Sequence, residues 1–588
     1  MKVNDLWNTL KSAVTDSMKE ACGTKKQGGP TRKLTAWWNE EIKEVIQTKK
    51  KLFKKWVKSK SEEDYIQYRL ARRDAKRKTR LSKEASWKKY GEDLSAMCKT
   101  STRDFYKSVK AMRVRDNPFD PTSVVNNPKG QPLYEDDLIR GRWEEYFYDL
   151  LNPAGILDTG EGFDSSQPDH QEPNILESEV RWAVKDSPKD KAAGDDGITT
   201  RAALACREIG IQWLTLMFQR AWGERKVPDD WQRVIVVPIW KCKGSKKDCS
   251  TYRGISLLSH VGKMFAKILE RRIRAKTEHL LSNSQFGFRK GRGCADAIFA
   301  LRQLCGKTIE YNNELHLIFV DLEKAFDRVD RNKLWKVLEC YGIHGQLLDS
   351  VRAIYKNSQS AVRTASGLTN WFPVTSGVRQ GCVLSPLLFI IYMDRITQAA
   401  NPDPECLNEL LFADDQALFS PDKDTLQEHI NQLNRQCEAH GMRINIKKTE
   451  AITISRNETT TAFNIEGNAL LNATEFKYLG SFFTKDGRID REIEVRCQKA
   501  NSISYQLAPL LKHESIPHRH KSKAYKLHLP DHFNLPVSNL APYPRTQKQA
   551  SHMRNAMSQK DSNKTRRDKI RNEVIRAQVV ATPVLQHV

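Results

Sequence analysis

Apolar positions divide this chain into stretches of different period. Val3, Leu6, Trp7, Leu10, Val14 and Met18 recur at helical spacing, which predicts a short amphipathic helix docked on something else. From 37 to 114 the composition is helical and crowded with Lys and Arg, with Phe53, Trp56, Tyr65, Tyr68, Trp87 and Tyr90 interleaved. Turn formers dominate 116–169, interrupted by a helical patch at 143–151. From 176 to 513 β-rich runs alternate with amphipathic helices. Strands are predicted at 230–241, 252–258, 315–320, 410–419 and 476–483; helices are predicted at 180–185, from 296, from 385 with Pro386 in the first turn, at 426–437 and at 489–511. The pattern reads as one folded α+β body from about 176 to 513. Ahead of it lie a short helix (1–33), a basic helical region (34–115) and a linker with one docked helix (116–175); behind it is an atypical, disordered tail (516–588).

Within the body, the run from Leu410 to Phe419 carries two adjacent carboxylates, Asp414 and Asp415, between two apolar segments, so a hairpin would lift both acids to its tip. Adjacent carboxylates repel and are costly to hold together unless a cation sits between them. Asp-Asp is equally ordinary turn chemistry, and the pair alone decides nothing. A second acidic segment, 315–327, reads as a buried strand ending in Asp321 and turning into a helix. If the two elements lie side by side, three carboxylates converge and can cradle two Mg²⁺ ions about 3.5–4 Å apart, as in-line phosphoryl transfer requires.

Charge narrows the partner. The 588 residues contain 97 Lys+Arg against 72 Asp+Glu, a net charge of +25, which points to a polyanion bound through counterion release. Lys54, Lys55, Arg72 and Arg73 lie among the interleaved aromatics, as either a solvated helical hairpin or a surface gripping a nucleic-acid backbone. The 12 cysteines show no zinc-type spacing and read as free thiols in a reducing compartment. No apolar run is long enough to span a bilayer and no signal-peptide core is present, so a soluble intracellular protein without a membrane partner is expected.

Three further stretches bear on phosphate chemistry. Lys241 and Arg253 flank a Lys/Gly loop between two strands, either as a triphosphate clamp or as two surface cations. The loop at 285–293 offers Arg289, Lys290 and Arg292 among glycines, suited to a close-lying nucleic-acid strand. The Gly-rich turn at 375–385 carries Gln380 and Gly381, placed against a base pair or serving only as a turn.

In order, the segments YRGISLL, FGFRKGRG, FVDLEKAFD, SGVRQGCVLSPLLF, FADD, INIKKTE and YLGSFF resemble those of non-LTR (LINE-type) retrotransposon reverse transcriptases, over about 37–511. The resemblance implies a right-hand fold with fingers (176–300), palm (301–475) and the start of a thumb (476–515). It implies an RNA-directed DNA polymerase that takes an RNA template, a DNA primer or target and deoxynucleoside triphosphates. Asp321, Asp414 and Asp415, with the Leu322 carbonyl, would hold two Mg²⁺ ions, for which Mn²⁺ can substitute. Lys241 and Arg253 would contact the triphosphate, and Gln380 and Gly381 would line the nucleotide and template pocket. Lys448, with Lys447 as second choice, would protonate the departing pyrophosphate. Phe326 falls at the steric-gate position, where its ring would collide with a ribose 2′-hydroxyl. Viral RNA-dependent RNA polymerases usually need a polar acceptor there, so Phe326 argues against that class.

The chain also departs from that pattern. Nothing ahead of residue 37 is long enough for the apurinic-type endonuclease of such elements, so a nick supplied by another chain is expected. Segment 527–564 is polar, Pro-rich and without helical period, and the resemblance resumes at 565–573; an out-of-frame island is the expectation there. The competing reading is a catalytically inactive, nucleic-acid-binding remnant. Copying at chromosomes implies the nucleus, with the run 72–80 as an import signal or a solvated face, and the cytoplasm as the alternative.

Overall fold

The computed structural model describes residues 2–23, 37–111, 124–153 and 172–511 apart from 402, 404–405 and 458–460, together with 513, 516, 520 and 521. Segments 527–564 and 565–573, and the Gly-Pro loop at 28–30, lie outside the described residues. Two compact units divide the chain, one from Met1–Lys25 and Pro118–Arg488, the other from Lys26–Asn117 and Ile489–Val588. Helices and sheets are mixed throughout the first, the α+β class expected. Among the described residues no helix is long and apolar enough to cross a membrane.

Seven strands position the site: β1 (Arg233–Trp240), β2 (Tyr252–Leu257), β3 (Leu315–Val320), β4 (Gln359–Thr364), β5 (Glu409–Phe412), β6 (Asp415–Ser420) and β7 (Glu450–Ile454). One sheet runs β2-β1-β4, with β1 antiparallel to β2 (Val237↔Ile255) and parallel to β4 (Ile235↔Ala361). The other runs β7-β3-β6-β5, antiparallel throughout, and a short edge strand, Leu471–Asn472, extends it beyond β7.

β3 is buried along its whole length and apolar except for His316, because both its faces are covered, the pattern expected of a central strand packed on two sides. Leu317 and Phe319 pack with Leu301 and Cys305 of the Cys294–Glu310 helix and with Tyr478 and Phe483 of a following hairpin. Ile318 and Val320 join the larger core on the other side, with Leu388 and Ile391 of the Ser385–Ala400 helix and Leu426 and Ile430 of the Lys423–Ala439 helix. Pro386 occupies the first turn of its helix, where its missing N–H costs nothing.

The N-terminal amphipathic helix, Val3–Cys22, has a definite dock. Trp7 sits edge-on to Trp231 with ring centroids 5.6 Å apart, and its Nε1 donates to Asp230 Oδ2 at 2.8 Å. Lys11 pairs with the same carboxylate at 2.6 Å.

One local expectation is corrected. No α-helix follows Asp321 directly: Leu322 bridges to Ile444, the chain turns through Lys324 at φ +49 into a single 3₁₀ turn at Ala325–Asp327, and the next α-helix starts at Arg331, capped by Asp330. In the 441–450 stretch Ile444 makes only that bridge, and Lys447 and Lys448 lie in a turn before β7.

In the second unit, the Glu40–Ser59 and Glu62–Thr100 helices form a hairpin through Lys60, which takes a left-handed conformation. Trp56 stacks on Tyr68 at 5.7 Å with Phe53 and Tyr65 beside them, so these four aromatics lie between the two helices, whereas Trp87 and Tyr90 pack on a separate core further along. Further along, Leu94, Phe105 and Val109 share a core with Leu507 and Leu510 of the Asp490–Leu511 helix and with Ile516. Leu510→Ala is expected to cost about 2–5 kcal/mol. It should raise hydrogen exchange in the Glu62–Thr100, Thr102–Ala111 and Asp490–Leu511 helices together; protection unchanged in the first two would refute the shared core.

Candidate active site

The hairpin tip forms as its sequence predicts. Asp415 pairs with Phe412, so Ala413 and Asp414 are the two turn residues, and Ala413 sits at φ +60, a conformation that disfavours a side chain. That conformation persists because the turn is propped from outside. Gln285, fully buried, accepts from Ala413 N at 3.2 Å and from Gly287 N at 2.7 Å through its Oε1. Phe286 N donates to Leu411 O at 2.8 Å, and Leu411 N to Ser284 O at 2.9 Å. A Cβ on Gly287 would lie 2.4 Å from Ala413 N, so glycine is required where this backbone crosses the turn.

β3 lies directly beside β6, with Val320 opposite Gln416, so one further step in the register sets Asp321 across from Asp415. The Asp321 backbone is clamped on both sides: its carbonyl accepts from Asn445 N at 2.8 Å and its N–H donates to Thr449 Oγ1 at 3.3 Å. Burial raises the Asp414 carboxyl above its usual range, with Asp321 adding repulsion. Burial, then repulsion from Asp414 and Asp321, pushes Asp415 up to about 6.

Asp321, Leu322 and Asp414 line a cavity of about 720 Å³. Lys241, Arg253 and Lys448 line it, with Lys324, Arg328 and Arg379 as further cations; Phe326, Asp327, Gln380, Gly381 and Asn445 also belong to the lining, whereas Asp415 and Lys447 do not. Lys448 Nζ stands 3.4 Å from Asp321 Oδ2. Among the described residues no three acidic, His or Cys side chains close into a ready-made metal cage. Lys448, beside Asp321, offsets part of the repulsion among the acids. An all-oxygen donor set under mutual repulsion nonetheless matches a hard divalent cation, which would relieve the raised carboxyls.

The triphosphate candidates lie on the neighbouring sheet. Lys241 follows β1, its Nζ donating to Ser250 O at 3.1 Å, and Arg253 stands exposed on β2. Burial, then repulsion from Arg253, lowers the Lys241 ammonium pKa. The Phe326 ring is fixed by stacking on Phe389 at 4.1 Å. The Gln380 carbonyl accepts from Ser256 N at 3.1 Å, and Gly381, at φ +107, lets Ser256 O come within 3.0 Å of where a Cβ would sit.

Two buried guanidiniums hold the 374–381 loop. Arg331 donates to the carbonyls of Val374, Ser376 and Gly377; Arg379 donates to those of Trp231 and Ile354 and to Ser358 Oγ.

The 285–293 loop is more structural than expected. The Arg289 side chain is only 7 % exposed and serves the Glu278 carboxylate, the Glu278 carbonyl just past the end of the His260–Thr277 helix, and the Ser282 carbonyl in the following loop. Arg292 donates to Asn283, and Lys290 remains exposed. In the other unit Lys54, Arg72 and Arg73 are exposed, whereas Lys55 pairs with Asp64 at 2.9 Å.

Sequence reasoning missed Gln285, Lys324, Asp327 and Asn445. Gln285 was marked by a polar residue within an apolar-flanked Gly motif, and Lys324 and Asp327 by their place just beyond Asp321. Asn445 left no such signal.

Residues 244–483 match the model of the family described as reverse transcriptase (RNA-dependent DNA polymerase). The chain is 25% identical over 348 residues to the RNA-directed DNA polymerase from mobile element jockey of Drosophila melanogaster, covering 56% of this chain and 38% of that protein. It is 26% identical over 325 residues to the Pol polyprotein from type-1 retrotransposable element R2 of Nasonia vitripennis, covering 52% and 31%. It thus spans less than half the length of these curated relatives. Among solved structures, apo telomerase from Candida tropicalis, truncated from its C-terminal domain, is similar with a TM-score of 0.35 and 15% identity, covering 44% of this chain and 54% of that one. Residues 244–483 are therefore a reverse transcriptase domain, related to those of non-LTR retrotransposon polymerases.

Proposed function

We propose that this chain is an RNA-directed DNA polymerase of a non-LTR retrotransposon, adding deoxynucleotides to a primer 3′-hydroxyl on an RNA template. The observation that carries the reading is the β3/β6 register, which sets Asp321 beside the 414–415 turn at a cavity also lined by Lys241, Arg253 and Phe326. Asp321, Asp414 and the Leu322 carbonyl, with Asp415 at the edge, would hold Mg²⁺ or Mn²⁺. Divalent ions there would neutralise charge on attacking and leaving oxygens. Lys241 and Arg253 hold the triphosphate oxygens, Arg in bidentate fashion. Lys448 stands by to protonate the departing pyrophosphate. The Phe326 ring, unable to swing aside against Phe389, leaves no room for a 2′-hydroxyl. In the second unit, the exposed Lys54, Arg72 and Arg73 grip phosphate backbone. A DNA primer at a chromosomal nick would put this work in the nucleus.

Primer extension on an RNA template with Mg²⁺ and deoxynucleotides tests the reading. The parent chain should extend, and Asp414→Ala combined with Asp415→Ala should lose about 10²–10³-fold or more. No extension by the parent, with RNA binding retained, would leave the inactive remnant. Phe326→Ala should raise ribonucleotide use relative to deoxynucleotide use at least about tenfold, roughly 1.4 kcal/mol of lost discrimination; an unchanged ratio would remove the steric gate.

Metal binding should be linked to protons. The Asp415 carboxyl, pushed up to about 6, is charged above that pH and takes a proton below it. Since a metal ligand must be deprotonated, Mg²⁺ affinity should fall as pH drops through about 6, with proton release on binding. Calorimetry in two buffers of different ionisation enthalpy reads both. Affinity flat from pH 5 to 8 would count against these carboxylates as ligands.

A further inference from the structure

The N-terminal helix, Val3–Cys22, anchors its first turns on one short stretch of chain. Asn4 and Asp229 exchange two hydrogen bonds, Asn4 Nδ2 donating to Asp229 Oδ2 and Asp229 N to Asn4 Oδ1, both at 3.1 Å. Trp7 and Lys11 meet on the Asp230 carboxylate. The next residue, Trp231, packs its ring on Trp7 and also on Phe218 and Phe265, whose centroids are 5.9 and 5.7 Å away. Together these anchors make a single helical turn, Asp229–Gln232, that leads straight into β1. The backbone of the same turn holds the nucleotide loop. Trp231 O accepts from Arg379 Nη1 at 2.8 Å, and Gln232 O from Arg379 Nη2 at 3.3 Å. Arg379 is buried and lines the nucleotide cavity, as does its neighbour Gln380, whose Nε2 donates to Asp327 Oδ1 at 2.8 Å.

Undocking the helix would disturb that turn. Burial opposes charge on Asp230, yet the bonds from Lys11 and Trp7 keep its carboxyl below the usual range. Without them a half-buried carboxylate is left with Arg233 as the cation near it, and the turn must open towards water to rehydrate the acid. Trp231 loses an aromatic wall at the same time, and the two carbonyls move against Arg379. Ile354 O and Ser358 Oγ still hold the guanidinium from another element, so it is displaced without being freed. We propose that the N-terminal helix is a strap for the nucleotide pocket, with Trp7 and Lys11 as positioning residues that act through the 229–232 turn and Arg379, so that deoxynucleotide binds more tightly while the helix is docked. The proposal rests on the polymerase reading. A route of this kind is established by measured coupling between its members, not by their proximity.

The test measures KM and kcat for dTTP on an RNA template with the full chain. Trp7→Ala and Lys11→Glu should each raise KM about fivefold with kcat little changed, as expected when binding is weakened and chemistry is not. Lys11→Arg, which keeps the pair with Asp230, should leave KM at the parent's value. Arg379→Lys should raise KM as well, and Trp7→Ala on that background should add little, because both changes act along one route. Should Trp7→Ala not fold, Lys11→Glu, at a partly exposed position, carries the comparison. A lowered melting temperature with KM unchanged makes the helix a brace for the fold alone and overturns the proposal; so does full additivity with Arg379→Lys. Either result leaves the polymerase reading standing. If the parent does not extend, displacement of a fluorescent nucleotide by dTTP in Ca²⁺ supplies the same comparison as Kd. Equal Kd in parent and variants then overturns the proposal, and no binding by the parent overturns it together with the polymerase reading.

Discussion

The antiparallel pairing of β3 with β6 is the constraint on which the candidate site depends. Side chains alternate faces along a strand, so a slip of one residue would turn Ile318 and Val320 away from the larger core and carry Asp321 off the 414–415 turn. Burial on both faces of β3 makes such a slip costly, because each face meets a different apolar layer. The fold thus uses hydrophobic packing to hold apart-pushing carboxylates in place. The Gln285 amide and the Gly287 crossing finish the task by holding the turn in a conformation that Ala413 would otherwise avoid.

The cationic side of the cavity is organised differently. Lys241 and Arg253 come from the ends of β1 and β2, and the loop that joins this sheet to the acids is fastened by Arg331 and Arg379. Burying two guanidiniums is tolerable because they are surrounded by carbonyl acceptors. Both charges are spent on positioning the chain. Gln380 and Gly381 then occupy fixed places although they belong to an irregular segment.

Much of this was legible beforehand, and the failures have physical reasons. The 410–419 hairpin and the buried 315–320 strand announced themselves through apolar runs meeting acids, and Pro386 marked its helix. Arg289 and Arg292 were misleading because a cation's partners are not written beside it: the carbonyls they serve lie at a helix end and in a loop. The expected helix after Asp321 shrank to one 3₁₀ turn at Ala325–Asp327, because Leu322 first pairs with Ile444, a contact between segments more than a hundred residues apart. The link between Asp327 and Gln380 likewise joins two separate motifs. No local pattern could have joined Leu94 and Val109 to Leu507.

That last core bears on how the chain comes into being. The helices ending at Ala111 leave the ribosome some 379 residues before the Asp490–Leu511 helix begins, since 490 − 111 = 379. At roughly 5–20 residues per second, the interval is on the order of 20–75 s. For that time Leu94, Phe105 and Val109 lack the partners that cover them in the finished protein, on a segment dense with positive charge.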